Sequence, residues 1–101
     1  MEILKKKSVI IGPHTFKVRW NNESYAGSFD FASEEIEIGC AGPDSRTLEV
    51  LLHELSEIVH VILHNRLHRP DVADDYVFVM DHAKFDSHNA ILTGLIPQFI
   101  K

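Results

Sequence analysis

Between Leu51 and His60 the chain reads Leu-Leu-His-Glu-Leu-Ser-Glu-Ile-Val-His, and no other stretch narrows the possible folds as far. At about 100° per residue, Leu48, Leu51, Leu55, Ile58 and Ile62 gather on one side. Glu49, His53, Ser56, Glu57, His60 and His64 gather on the other. This is the pattern of an amphipathic helix with one stripe turned to a core. Leu52, Val50, Val61 and Leu63 flank the polar stripe, so its surroundings are more apolar than those of a plain solvated face. Ala41-Gly42-Pro43 forbids an earlier start, and Asp44 or Ser45 offers an N-cap. The helix is expected from about Arg46 to about Asn65.

The residues before it alternate instead. Ser8 to Ile11 is a short apolar run closed by Gly12-Pro13, a turn signal. From His14 to Trp20, Phe16, Val18 and Trp20 share one face, and Thr15, Lys17 and Arg19 the other. Asn21 to Ser24 reads as a polar turn. Gly27–Phe31 and Glu35–Ile38 read as the arms of a hairpin around Ala32-Ser33-Glu34. After the helix, Arg66 to Asp75 is polar, contains Pro70 and is expected to be a loop. Tyr76 to Met80 reads as either a short strand or a buried extended segment. Asp81 then caps a second helix carrying Lys84, Phe85, His88, Ile91, Leu92 and Leu95 at helical spacing. The tail Gln98 to Lys101 is expected either to fray or to plug the core. The expected fold is α+β: three or four mostly antiparallel strands packed on two helices.

A chain of 101 residues is the size of one domain. A formal net charge of -5 argues against a nucleic-acid partner, which needs a basic face for phosphates. Lys5-Lys6-Lys7 is too short to supply one and reads as a solvated edge. No apolar run approaches the roughly 20 residues of a membrane span, and no signal-peptide pattern precedes Gly12-Pro13. The single cysteine, Cys40, has no internal disulfide partner and is expected to be a small buried side chain. A cytoplasmic protein is expected.

Chemistry is concentrated in His53-Glu54-x-x-Glu57, a one-residue variant of the His-Glu-x-x-His signature of zinc hydrolases. Four residues are just over one helical turn, so His53 and Glu57 project side by side and can share one ion. Glu54 is rotated off that line and can act as general base toward a water on the ion. A catalytic zinc usually takes three protein ligands. His60 and His64 fall on the same face, but the row from His53 to His64 spans about 16 Å, too far for one ion. His60 is therefore expected to be a partly exposed neighbour and His64 exposed, with His68 in the loop and His14 without a role. An imidazole from the second helix reaches more easily. His82 at its start is the first choice and His88 the reserve, with Asp81, Asp86 and Glu49 as groups that could orient a ligand. Six of the seven histidines lie between His53 and His88, which raises the expectation of a metal site.

These motifs resemble those of small metallopeptidases encoded by phages and prophages, a minimal zincin-like group in the style of the SprT-like and ImmA-like proteases. The resemblance rests on the strand Ile11 to Val18, the hairpin Gly27 to Gly39, and the helix opening Thr47-Leu48-Glu49-Val50-Leu51-Leu52-His53-Glu54. It implies a helix pair of ligands matching His53 and Glu57, a base matching Glu54 and a second-helix histidine matching His82; His60 has no counterpart. A carboxylate at Glu57, where the second histidine is usual, makes the ion a weaker Lewis acid and opens the site to other divalent metals. The expected function is a zinc-dependent hydrolase of peptidase type acting on a peptide or protein. The alternative is a non-catalytic metal-binding or protein-interaction module. Non-haem iron suits the same ligand types, though a chain this short has little left to build an oxygenase pocket. So little chain remains for a cleft that a homodimer or a partner protein could complete one, with Tyr76 to Met80, Phe99 and Ile100 as stretches to watch.

Overall fold

The computed structural model describes residues 2–68 and 76–101. Its main sheet holds β1 (Ser8–Ile11), β2 (His14–Asn21), β3 (Gly27–Asp30) and β4 (Glu35–Gly39), in the order β1-β2-β4-β3. β1 pairs antiparallel with β2, placing Val9 opposite Phe16. β3 pairs antiparallel with β4, placing Phe29 opposite Ile36. β2 and β4 are parallel, with Val18 beside Ile36 and Arg19 beside Glu37. The hairpin therefore docks by its second arm, and β3 is left at the sheet edge. Alternation sorts the faces. Phe16, Val18, Ile36 and Ile38 are buried, while Arg19 Nη2 reaches Glu37 Oε1 across the outer face at 3.3 Å. A Cβ on Gly39 would lie 2.3 Å from the Ala26 carbonyl oxygen and 2.6 Å from that of Ser24. Only glycine admits that approach, where the Gly39 amide bonds Ala26 at 2.8 Å.

α1 (Asp44–Ile62) crosses this sheet against β3 and β4. Neither Asp44 nor Ser45 caps it. Pro43 occupies the N-cap position with extended backbone and no side-chain bond, and its carbonyl accepts from the amides of Arg46 and Thr47. Asp44 falls inside the first turn, where its charge meets the positive end of the helix dipole. The helix ends three residues earlier than the expected Asn65. His64 takes a left-handed backbone, φ 59°. The His64 amide bonds the Val61 carbonyl at 3.1 Å and the Asn65 amide bonds the His60 carbonyl at 2.8 Å. That is a Schellman reversal, here without glycine.

The reversal sends the chain back along α1. Arg66–His68 is a strand, β5, paired antiparallel with β6 (Tyr76–Phe78). The expected loop is thus strand at its start, because Leu67 finds a partner in Val77; residues 69–75 lie outside the described residues. α2 (His82–Leu95) begins as expected, with Asp81 Oδ1 accepting from the Lys84 amide at 2.9 Å. A 3-10 turn, Ile96–Phe99, follows. The tail is a plug: Phe99 is fully buried, beside Trp20 at 6.2 Å between ring centres, and Ile100 bridges to Ile3.

The core joins Val9, Ile11, Phe16, Val18, Ile36 and Ile38 of the sheet to Val50, Leu51, Leu55, Ile58 and Val59 of α1, and to Leu95 and Phe99. Truncating one such leucine or isoleucine to alanine costs about 2–5 kcal/mol. The buried arc of α1 is wider than its apolar stripe. Leu48 and Ile62 are only half-buried, whereas Thr47, Glu54 and His60 are buried. The helix is covered on two sides, by the sheet and by α2. Among the described residues no helix is long and apolar enough to cross a membrane.

Candidate metal centre

His53, Glu54 and Glu57 come together on the middle turns of α1, each offering a ligand atom within 4.8 Å of the others. Among the described residues this is the one group of three or more His, Cys, Asp or Glu side chains so placed. His53 Nε2 lies 3.2 Å from Glu57 Oε2, one helical turn away, as the spacing requires. The three differ sharply in setting. The His53 side chain is 67% exposed, Glu57 is half-buried, and Glu54 is 5% exposed.

Glu54 owes its burial to the edge strand. A Cβ on Gly27 would lie 2.7 Å from Val50 Cγ1 and 2.9 Å from Glu54 Cγ, so glycine there lets β3 close onto this face of α1. Glu54 Oε2 is buried without a hydrogen-bond partner. An ionised carboxylate loses hydration in that position and gains little in return. Burial pushes the Glu54 carboxyl above the ordinary carboxylate range; His53 opposes the rise, Glu57 adds to it and Arg66 opposes it. A cleft of about 250 Å³ opens here, lined by Ala26, Gly27, Arg46, Glu49, Val50, His53 and Glu54. Glu49 is exposed at its rim and pairs with Arg46 at 2.7 Å, not with an imidazole.

On its other side the group meets Arg66, at the start of β5. Arg66 Nε is 3.9 Å from Glu57 Oε1, longer than a hydrogen bond, and is itself buried without a hydrogen-bond partner. The guanidinium lies 3.6 Å from the Tyr76 ring centre and 5.1 Å from that of Phe29. Sequence reasoning assigned Arg66 to a loop and gave it no role. Nothing local marks it, because its approach to Glu57 depends on the left-handed His64 turning the chain back.

His82 does not join the group. Its side chain is 89% exposed, and its Nδ1 pairs with Asp86 Oδ2 at 3.3 Å. The first turns of α2 are exposed, and the helix buries only His88 and Leu95. His88 packs on α1 instead, with Nε2 2.8 Å from Ser56 Oγ and Nδ1 3.2 Å from Asn89 Oδ1. Its ring stacks on His60, 4.1 Å between centres and tilted by 11°. His60 is not the partly exposed neighbour expected from the helix face. It is buried beneath His88 and beside Phe78 at 4.7 Å, and Asn65 Nδ2 donates to its Nδ1 at 3.3 Å. Burial, then the neighbouring His88, hold His60 below the usual histidine range, with Glu57 opposing. His64 is exposed, as expected. Cys40 is half-buried rather than buried, and its thiol donates to Asn22 Oδ1 at 3.1 Å.

The donor set suits a divalent ion: one imidazole nitrogen and two carboxylates, one of which carries a buried oxygen without a partner. No family model matches this chain, and no curated protein or solved structure does either.

Proposed function

We propose that the chain is a zinc-dependent hydrolase of peptidase type, with His53 and Glu57 holding the ion and Glu54 as general base. One observation carries this reading: a carboxylate with a buried, unpartnered oxygen within ligand distance of an imidazole and a second carboxylate. Such a group costs stability, and a proton-accepting role accounts for keeping it. A divalent ion at this position supplies Lewis acidity and makes a nearby water more acidic. Glu54, buried at the cleft wall and raised in pKa, would be placed to accept a proton from such a water as general base. The adjoining cleft between Gly27 and His53 gives a peptide carbonyl a place beside these groups. The same spacing carries the resemblance to the phage-encoded metallopeptidases, and another divalent ion would use the same donors.

A second reading is a metal-binding or interaction module without catalysis. It is favoured by the exposed apolar side chains Leu67, Val77, Phe78, Val79 and Phe85, which suit a partner protein or a second copy. Phe99, being fully buried, takes no part in such a surface. Titration calorimetry with zinc, followed by an assay on a mixed peptide library, separates the two. The peptidase reading expects one ion per chain, loss of binding in His53→Ala and Glu57→Ala, and a Glu54→Gln variant that binds zinc without hydrolysing peptide. Hydrolysis undiminished in Glu54→Gln would overturn the role given to Glu54. His82→Ala tests the ligand expected from the second helix, which stands outside the group.

A further inference from the structure

We infer that Arg66 is a positioning residue for the ion site, its charge standing on the Oε1 side of Glu57 so that Oε2 is the oxygen presented beside His53. The inference rests on the reading of His53 and Glu57 as ligands and adds a group that the motif does not contain.

Glu57 faces an imidazole and a guanidinium through different atoms. Its Oε2 is the oxygen 3.2 Å from His53 Nε2, and its Oε1 is the oxygen 3.9 Å from Arg66 Nε. A carboxylate on a helix can rotate about its terminal torsion and offer either oxygen, or both, to an ion. A guanidinium 3.9 Å away on the Oε1 side biases that choice through its charge. Arg66 is suited to the task because it is itself fixed. Its side chain is only 17% exposed, and the ring of Tyr76 lies 3.6 Å from the guanidinium carbon, with Phe29 at 5.1 Å. Cation–π contacts of this kind strengthen as water is excluded.

Two orphaned atoms of opposite character flank Glu57, the Arg66 Nε donor and the Glu54 Oε2 acceptor. A buried donor without a hydrogen-bond partner is costly. A merely structural clamp would be expected to satisfy it, whereas a group whose partner becomes fixed on ion binding leaves it available. Groups that orient a metal ligand typically change affinity by about 10–100-fold when removed.

The test combines zinc calorimetry, cobalt(II) absorption spectra and the Arg66 Nε–H resonance of the ¹⁵N-labelled protein. In the wild type, one equivalent of zinc is expected to shift the Arg66 Nε–H resonance together with the His53 ring resonances. Arg66→Leu is expected to weaken zinc binding about tenfold or more and to change the cobalt spectrum. Arg66→Lys, which keeps the charge but loses the planar fork, should recover part of the affinity. If wild-type protein binds no zinc, the ligand reading itself fails and this inference falls with it. If the wild type binds zinc and a folded Arg66→Leu variant binds equally with an unchanged cobalt spectrum, Arg66 is a clamp between strands and the inference alone is overturned. Should Arg66→Leu fail to fold, the wild-type resonance decides: His53 signals that move while Arg66 Nε–H stays still overturn the role.

Discussion

Two polar clusters sit one helical turn apart on α1 and could hardly differ more in how they are finished. At the Glu54 end the groups are incompletely paired: Glu54 Oε2 and Arg66 Nε are both buried without hydrogen-bond partners, and His53 is largely in solvent. At the His60 end the groups are imidazoles, a hydroxyl and amides, and they are mostly paired. His88 bonds Ser56 and Asn89 through its two ring nitrogens, and Asn65 donates to His60. The leftover there is a single amide oxygen, Asn65 Oδ1, which is far cheaper to bury than a charge. The contrast teaches that histidine clustering alone does not mark a metal site. Stacked, hydrogen-bonded imidazoles lie packed under a second helix, whereas the imidazole beside an unsatisfied carboxylate belongs to the group proposed to hold an ion.

The largest effect expected from this contrast is a double dissociation. His53→Ala should reduce zinc affinity by about 100-fold or more and leave the thermal midpoint of the metal-free protein nearly unmoved. His88→Ala should do the reverse, costing about 1–3 kcal/mol of stability through the lost bond to Ser56 and the lost cover of His60, with zinc affinity little changed. Calorimetry and urea melts on both variants measure this, and loss of zinc binding in His88→Ala would merge the two clusters into one site.

A smaller effect separates the clusters by pH. His60 is held below its usual pKa by burial and then by His88, so between its folded and unfolded values the unfolded chain binds more protons. Its contribution is complete above about pH 6.5 and is lost as the pH falls below that value toward the lowered folded one. Glu54 runs the other way. Its folded pKa is raised, chiefly by burial, so its ionisation costs stability as pH climbs from the ordinary carboxylate value through the raised one. Urea midpoints of metal-free protein should fall on acidification through the histidine range, and His60→Asn should flatten that slope. Glu54→Gln should stabilise the metal-free protein at pH 7 by about 1 kcal/mol. A destabilised Glu54→Gln would mean that its carboxylate is better satisfied than its orphaned oxygen implies.

The smallest effect concerns the turn that brings Arg66 to Glu57. His64 holds φ 59° without being glycine, so His64→Gly should relieve strain and raise stability by about 0.5–1 kcal/mol, read from thermal melts. A loss of stability would show that the His64 side chain holds the turn, and with it the approach of Arg66.

Where one period ruled, the elements were legible. Alternation placed β2 and the hairpin, the 3.6-residue period placed α1 around His53 and Glu57, and Asp81 marked the start of α2. The helix end was not legible, since His64 in place of glycine hides the Schellman turn. Nor was the burial of His60, which a helix face assigns to the polar side until α2 and Phe78 cover it. The side of the site facing Arg66 was equally hidden, because a residue in a polar stretch carries no mark of where the chain turns back.

The amino-acid order alone determined that His53 and Glu57 stand together, because four residues nearly close one turn and their neighbours make that turn helical. It determined equally that alternating strands would offer one apolar face to the helix. Tertiary structure alone decided which polar groups lost their water. Gly27 lets β3 close over Glu54, α2 covers His60, and β5 returns Arg66 to Glu57. Periodicity sets a direction from one axis, but desolvation depends on what arrives from elsewhere in the chain.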